Sequence, residues 1–402
     1  MTGKEKFVPR QKSLGHMIFG LLSLFCFLLI FRNPDLSMAY MGRGLTLCVT
    51  TVIPSLYPFM VISEMMVGSG AGEALGRILS RPMRWIFGLS GAGASAVVLG
   101  SLCGFPVGAS TAFSLYDHNL ISKEECQHLL TFVNQPSSAF LTLAVGVSMY
   151  GSRRLGVILY GLVVGCGLLV GFVARFWLGG VPRHNHPHYP MGFHPDGSVG
   201  RGKSVGGRGM VEVVTRAVSS SAMNLLTVCG YVVFFSGLTG VFTSGVLAKL
   251  SPLWGEFGTL VGVVLCGVLE LSSGMSQVAT LGELGYLGEM ACKVSLVLAA
   301  MVGGWSGLSV HCQVMTLGGG RGISFKPYFV AKGVQSLLCG VGMGVILLLV
   351  EPSWLLPTQE TVVGNLLDMT RVFSLPALPS WMAYGGMLWG VWMHQRLKGA
   401  QP

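Results

Sequence analysis

Charge is what this sequence has least of. Only 10% of its 402 residues are Asp, Glu, Lys or Arg, where a soluble domain carries about 25%. That is too little to clothe a water-facing surface, which excludes a soluble enzyme and a disordered chain alike. Basic residues outnumber acidic ones, 26 to 16, for a net charge of +10. The excess lies between apolar runs rather than on one face, so it does not indicate a nucleic-acid partner. The ten cysteines form no CxxC pair, and most sit inside apolar runs. They read as small core hydrophobes rather than as disulfides or metal ligands. GxSxG, HExxH, Walker loops and paired catalytic carboxylates are missing too. The chain therefore reads as a non-enzyme without cofactor or metal, and any transport by it alone is not driven directly by ATP.

What is there in quantity is apolar: 51% hydrophobic residues, 59 glycines and a mean hydropathy of +0.65. A bilayer is the solvent such a chain fits. The stretch after Lys12 resembles a signal peptide, but Phe31-Arg32-Asn33-Pro34 offers no small-residue cleavage site, so it reads as an uncleaved first span. Candidate spans are 14–31, 44–67, 128–150, 155–178, 222–243, 291–316, 327–350 and a short one at 380–394. Between the halves lies 179–217, rich in Gly, Pro and His and basic in balance, which reads as a poorly ordered linker. His184, His186, His188 and His194 fall there among prolines, and a solvated linker explains them better than a metal site.

Two uncharged or nearly uncharged stretches fit poorly as simple spans. As one straight helix, 88–116 would reach about 43 Å against a hydrocarbon core of about 30 Å. It contains Gly104-Phe105-Pro106-Val107-Gly108, a strong helix breaker. Its counterpart 255–277 carries Leu269-Glu270-Leu271-Ser272-Ser273-Gly274. Both read as re-entrant hairpins or broken helices, which survive at membrane depth only inside protein or beside a wet cavity. With both re-entrant, the basic N-terminus, loop 68–87, the linker, loop 317–326 and the tail all become cytoplasmic. Arg153 and Arg154 run against that scheme.

Landmarks recur in order. The helix opening at Pro54-Ser55-Leu56-Tyr57-Pro58-Phe59 answers to Asn224-Leu225-Leu226, and the GFPVG break to LELSSG. Asn134-Gln135-Pro136-Ser137-Ser138 answers to Gly304-Trp305-Ser306-Gly307-Leu308-Ser309. The reading is an all-α polytopic membrane protein of about eight spans, built from two inverted repeats with broken helices, as many secondary transporters are. Its divisions are 1–43 (tail and first span), 44–178 (first repeat), 179–217 (linker), 218–350 (second repeat) and 351–402 (outer loop, last span, basic tail).

The breaks carry the candidate site. Gly104, Phe105, Pro106, Gly108 and Ser110 start a helix whose N–H groups suit an anion, although a satisfied packing kink would look the same. Asn134, Gln135, Pro136, Ser137 and Ser138 form the most polar uncharged cluster in any span. Pro136 frees a carbonyl, and Ser137 can cap the restarted helix. Ser272, Ser273 and Gly274 follow Glu270, an intramembrane carboxylate assigned to coupling or ion pairing. Trp305, Ser306 and Ser309 form the second midspan cluster with His311 and Gln313. Ser306 and Ser309, three apart, are expected on one helix face. Trp305 can stack on a ring, and His311 can donate or titrate, a lone membrane His being more often a satisfied interhelical donor. All the donors counted in this site are neutral.

SLCGFPVGAS, NQPSSAFLTLAVG, LELSSG and WSGLSVHCQV together resemble the sporulation integral membrane protein YlbJ family, over roughly residues 40–350. That family lies in the wider nucleoside-recognition, or Gate, group related to concentrative nucleoside transporters. The resemblance implies a multi-pass protein of the mother-cell (outer forespore) membrane of a sporulating bacterium. It implies transport of dipicolinic acid, a small planar dianion, toward the forespore. Two positive helix ends would suit its two carboxylates, with Trp305 on its ring. The partners are then this solute and membrane lipid, with a homo-oligomer left open. A non-transporting scaffold for spore-envelope or cortex assembly and a nucleoside-type transporter remain the alternatives.

Overall fold

The computed structural model describes residues 14–69, 72–178, 210–281 and 288–356. Among them the chain is helical, with no strand. In the first half come α1 (Leu14–Arg32), α2 (Pro34–Leu47), α3 (Ile53–Gly68), α4 (Gly72–Pro82), α5 (Ala94–Cys103), α6 (Val107–Asp117), α7 (Lys123–Val133) and α8 (Arg153–Trp177). In the second come α9 (Met210–Gly240), α10 (Ala248–Leu269), α11 (Leu271–Leu281), α12 (Gly288–Trp305), α13 (Leu308–Leu317) and α14 (Lys326–Leu349). Residues Met1–Pro352 form one compact unit; Ser353–Pro402 form another, described only to Leu356.

Proline and glycine set the local breaks. Pro34 opens α2, since its missing N–H is no loss in a first turn. The wide π-turn Cys48–Val52 precedes Pro54, which cannot donate to the carbonyl one turn back. Ser122 and Glu125 form a reciprocal capping box at the start of α7. Glu125, buried, also accepts the Ser90 N–H at 2.7 Å and so ties the entry of α5 to α7.

Among the described residues, four stretches are long and apolar enough to cross a membrane: Arg153–Trp177, Val211–Gly245, Met290–Leu317 and Lys326–Leu349. The pair Gly76–Phe87 and Gly91–Cys103, bent by 103°, makes a fifth if taken together. The protein is an integral membrane protein on this evidence. Its spans are built inside out. On α14, Val330, Val334, Leu337, Val341, Val345 and Leu348 form an exposed apolar stripe, while Tyr328, Lys332, Gln335, Cys339 and Met343 face inward. Polar groups at membrane depth face the bundle interior because lipid offers them no hydrogen bond.

Three boundaries differ from the sequence reading. Residues 68–87, expected as a basic loop, contain α4 and a π-turn at Met83–Phe87. Met83 and Phe87 are buried while Arg77, Ile78, Arg81 and Trp85 are exposed, a helical division that a charge count hides. The linker expected over 179–217 gives way to helix at Met210, because buried Ala217 and Ser221 extend the packed face of α9. Helix also runs from Pro34, before the boundary drawn at residue 44. Residues 179–209, with the four linker histidines, and 357–402, with the expected span 380–394, lie outside the described residues.

The first-half core centres on α5, α6 and α7, with Phe87 stacked on Phe132 at 4.7 Å, and takes in Val314, Ile323 and Tyr328 from the second half. At one end, Arg321 donates to both oxygens of Asp117, at 2.8 and 2.6 Å, tying the end of α6 to the α13–α14 loop. The hydrogen bonds it donates to Asp117 raise the Arg321 pKa above its ordinary value. Both side chains are partly exposed, so Asp117→Asn is expected to cost under about 1 kcal/mol in thermal unfolding.

Candidate functional site

Four interruptions of helix meet in two pairs. In the first half, α5 stops at Cys103, and Gly104 takes a φ of +83° that favours glycine. The Phe105 N–H then donates to Gln135 O at 2.7 Å. The chain folds back there, since Gly100 and Gly108 approach at their Cα atoms, where a straight helix would hold them about 12 Å apart. The facing break lies between α7 and Phe140. Pro136 supplies no N–H, and Ser137 Oγ accepts the Phe140 N–H at 3.1 Å, capping the restarted helix. Ser138 Oγ donates to Leu102 O at 3.2 Å, fastening this break to the end of α5.

The second half repeats the plan with other residues. Glu270 separates α10 from α11, and Gly267 and Gly274 pack together as Gly100 and Gly108 do. The Glu270 carboxylate accepts the N–H groups of Ser272 and Ser273, at 3.0 and 2.7 Å. Opposite lies the break Ser306–Gly307, with φ of +77° and +85°. A side chain on Gly307 would meet the Leu271 backbone nitrogen at 2.8 Å. Trp305 Nε1 donates to Val268 O at 3.1 Å across the pair.

A buried polar network lies between the halves. Gln335 Nε2 donates to Gln135 Oε1 at 2.6 Å and to Val163 O at 2.9 Å. Lys332 Nζ donates to Gln335 Oε1 at 3.0 Å and to Gly304 O at 3.4 Å, near the end of α12. Asn134 Nδ2 donates to Tyr328 Oη at 3.2 Å, and that oxygen lies 2.8 Å from His311 Nδ1. A phenol proton donated to His311 Nδ1 would leave the imidazole proton on Nε2. The Trp305 ring meets the His311 ring edge at 4.4 Å. Asn134, Gln135, His311, Lys332 and Gln335 are all at most 1% exposed. Even so, Asn134 Oδ1, His311 Nε2 and Gln313 Oε1 have no hydrogen-bond partner.

Several expected site residues are therefore brought together. Gly104 lies against Ser137, and Phe105 is bonded to Gln135; Asn134, Gln135, Trp305 and His311 enter or adjoin the network. Gly108 is spent on helix contact, Gly274 likewise, and Ser110 is buried on α6. Ser306 and Ser309 do not share a helix face. α12 ends at Trp305, Ser306 sits in the break with a left-handed φ, and Ser309 belongs to α13. The Ser306 hydroxyl donates back to Gly303 O at 3.4 Å. The positive end of α11 is also not open, because Glu270 caps it. Among the described residues, no basic side chain lies within 4 Å of that carboxylate.

Lys332, Gln335 and Tyr328 were missed. Lys332 adds to the neutral donors of the sequence reading a basic side chain that it did not count. Its signal was present: a lysine six residues into an apolar run, with Gln335 three residues on and thus on the same face.

Comparison with known proteins bears out the resemblance. The family model described as nucleoside recognition (Gate) matches residues 49–175, which run from the π-turn before α3 to the end of α8. The chain is 27% identical over 386 residues to the sporulation integral membrane protein YlbJ of Bacillus subtilis (strain 168), covering 90% of each protein. No solved structure matches.

Proposed function

We propose that this protein is a sporulation transporter that moves a small planar anionic solute, dipicolinic acid, out of the mother cell toward the forespore. One observation carries the reading. Four helix interruptions and a fully buried polar network coincide inside spans whose outer faces are apolar. A protein that only had to sit in the membrane would gain nothing from unpaired amide and imidazole atoms at its centre. Interrupted helices around a polar midpoint are the means by which many carriers bind a solute at membrane depth. The similarity to the sporulation protein over nearly its whole length supplies the biological setting. Uptake into liposomes holding only this protein, with dipicolinate compared against nucleosides, is the test. Dipicolinate accumulation is expected. Accumulation of nucleosides alone would identify the ancestral substrate class, and none at all would favour a scaffold for envelope assembly.

Two further outcomes follow from this reading. The basic balance of these segments supports a cytoplasmic side for both termini and 179–217. Cysteines introduced at Gly197 and Gly399 should resist an impermeant reagent in intact cells, and one at Thr361 should react. External labelling at Gly197 would remove the inverted-repeat arrangement. Separately, Trp305→Leu should reduce discrimination between aromatic and aliphatic dianions in the uptake assay. The loss should be about 1 kcal/mol, the worth of a ring contact beyond its area. Unchanged selectivity would take Trp305 out of the site.

A further inference from the structure

Lys332 is the one lysine or arginine among the network's described members. Its ammonium has three N–H donors, and its two acceptors, Gln335 Oε1 and Gly304 O, are neutral. Among the described residues no carboxylate lies within 4 Å. A methionine of similar volume would fill the same space without the desolvation cost of a buried cation. In its protonated form Lys332 therefore has no carboxylate partner among the described residues.

A second, independent observation points to where that partner sits. His311 Nε2 and Asn134 Oδ1 are buried and unpartnered in the same network. His311 and Asn134 both bond Tyr328, which stands one turn before Lys332 on the inward face of α14. With the Tyr328 phenol donating to Nδ1, the imidazole offers an N–H at Nε2. An ammonium and an imidazole N–H complement a carboxylate.

Resting on the transport reading above, we propose that Lys332 is the counter-charge for a carboxylate of the transported solute, which enters by displacing Gln335 from the ammonium. Gln335 is suited to that exchange. Its amide oxygen holds Lys332 and its amide nitrogen holds Gln135 in the other half, so one side chain closes the site when no solute is bound. A carboxylate taking the ammonium breaks the first bond and frees Gln335 to release the second. Arrival of the solute thereby loosens a direct contact between the halves.

The test is equilibrium binding to purified protein in nanodiscs, using dipicolinate and its neutral analogue pyridine-2,6-dicarboxamide. Wild type is expected to prefer the dianion. Lys332→Gln should lose about 100-fold in dipicolinate affinity while changing diamide affinity by less than about threefold. Lys332→Met, matched in volume, gives the same readout should Lys332→Gln fold poorly, and the unliganded melting temperature of each identifies which is folded. A folded variant that binds dipicolinate as wild type does overturns this assignment and leaves the transport reading standing. An equal loss for dianion and diamide also overturns it, because a merely structural lysine would act so. Wild type that binds neither compound, and transports neither, overturns both readings.

Discussion

Gln335→Leu should destabilise the protein by about 3 kcal/mol, and Lys332→Met in the same chain should restore most of that loss. The single change removes the acceptor at 3.0 Å from Lys332 Nζ and the donor at 2.6 Å from Gln135 Oε1. The ammonium keeps only Gly304 O, at 3.4 Å, and Gln135 Oε1 keeps none of its present partners. A buried group left without its partner costs about 1–3 kcal/mol, and a charged one more. The double variant removes the ammonium that was stranded, and replacing a buried polar pair by apolar groups of matching size is often neutral. Denaturation in detergent of wild type, both single variants and the double variant closes the cycle. A double variant no more stable than Gln335→Leu would mean that Lys332 is solvated in the folded protein. The same double variant should fold and yet fail to bind dipicolinate. That separates what the network does for stability from what it does for the solute.

How much of this was legible in the sequence depended on the kind of signal. The breaks at Gly104–Pro106, Asn134–Ser137 and Glu270 were legible because glycine, proline and a lone carboxylate act through local backbone chemistry. Ser306–Gly307 was half legible. The landmark was found, but Ser306 was assigned to a helix because nothing local forbids one there. Its left-handed φ accompanies the close approach of Gly307 to Leu271, a tertiary contact. Glu270 stood out as an intramembrane carboxylate, yet its partners are the N–H groups two and three residues ahead, so its surroundings are those of a helix cap. Lys332 was overlooked for the opposite reason. Near the start of a span it looks like an interfacial charge, and only the packing of α14 against α12 and α8 shows that it is inward and covered. Residue type thus located where the helix stops. Which polar groups face one another depended on the fold.

The hairpins that bring the breaks together rest on glycines, and one comparison isolates that role. Gly108→Ala is expected to cost about 3 kcal/mol or more, whereas Gly165→Ala should leave stability unchanged or raise it by up to about 1 kcal/mol. A Cβ on Gly108 would meet the Val133 carbonyl oxygen and come within 2.7 Å of Gly100 Cα, both of them backbone atoms that cannot turn aside. A Cβ on Gly165 would meet nothing within 4 Å. Intrinsic helix preference favours alanine at both sites, so any difference in sign comes from packing alone. The consequence should reach the site, because Val133 is the last residue of α7 and its neighbours Asn134 and Gln135 carry the network. Pushing Val133 outward by even half an ångström strains the 2.6 Å contact between Gln135 and Gln335. Melting temperatures and dipicolinate binding should therefore fall together in Gly108→Ala and in Gly274→Ala, whose added Cβ would collide with the Gly267 backbone in the second hairpin. Gly165→Ala should change neither. If Gly108→Ala melts and binds as Gly165→Ala does, the two arms of the first hairpin do not touch as described, and the first pair of breaks is not held together by them.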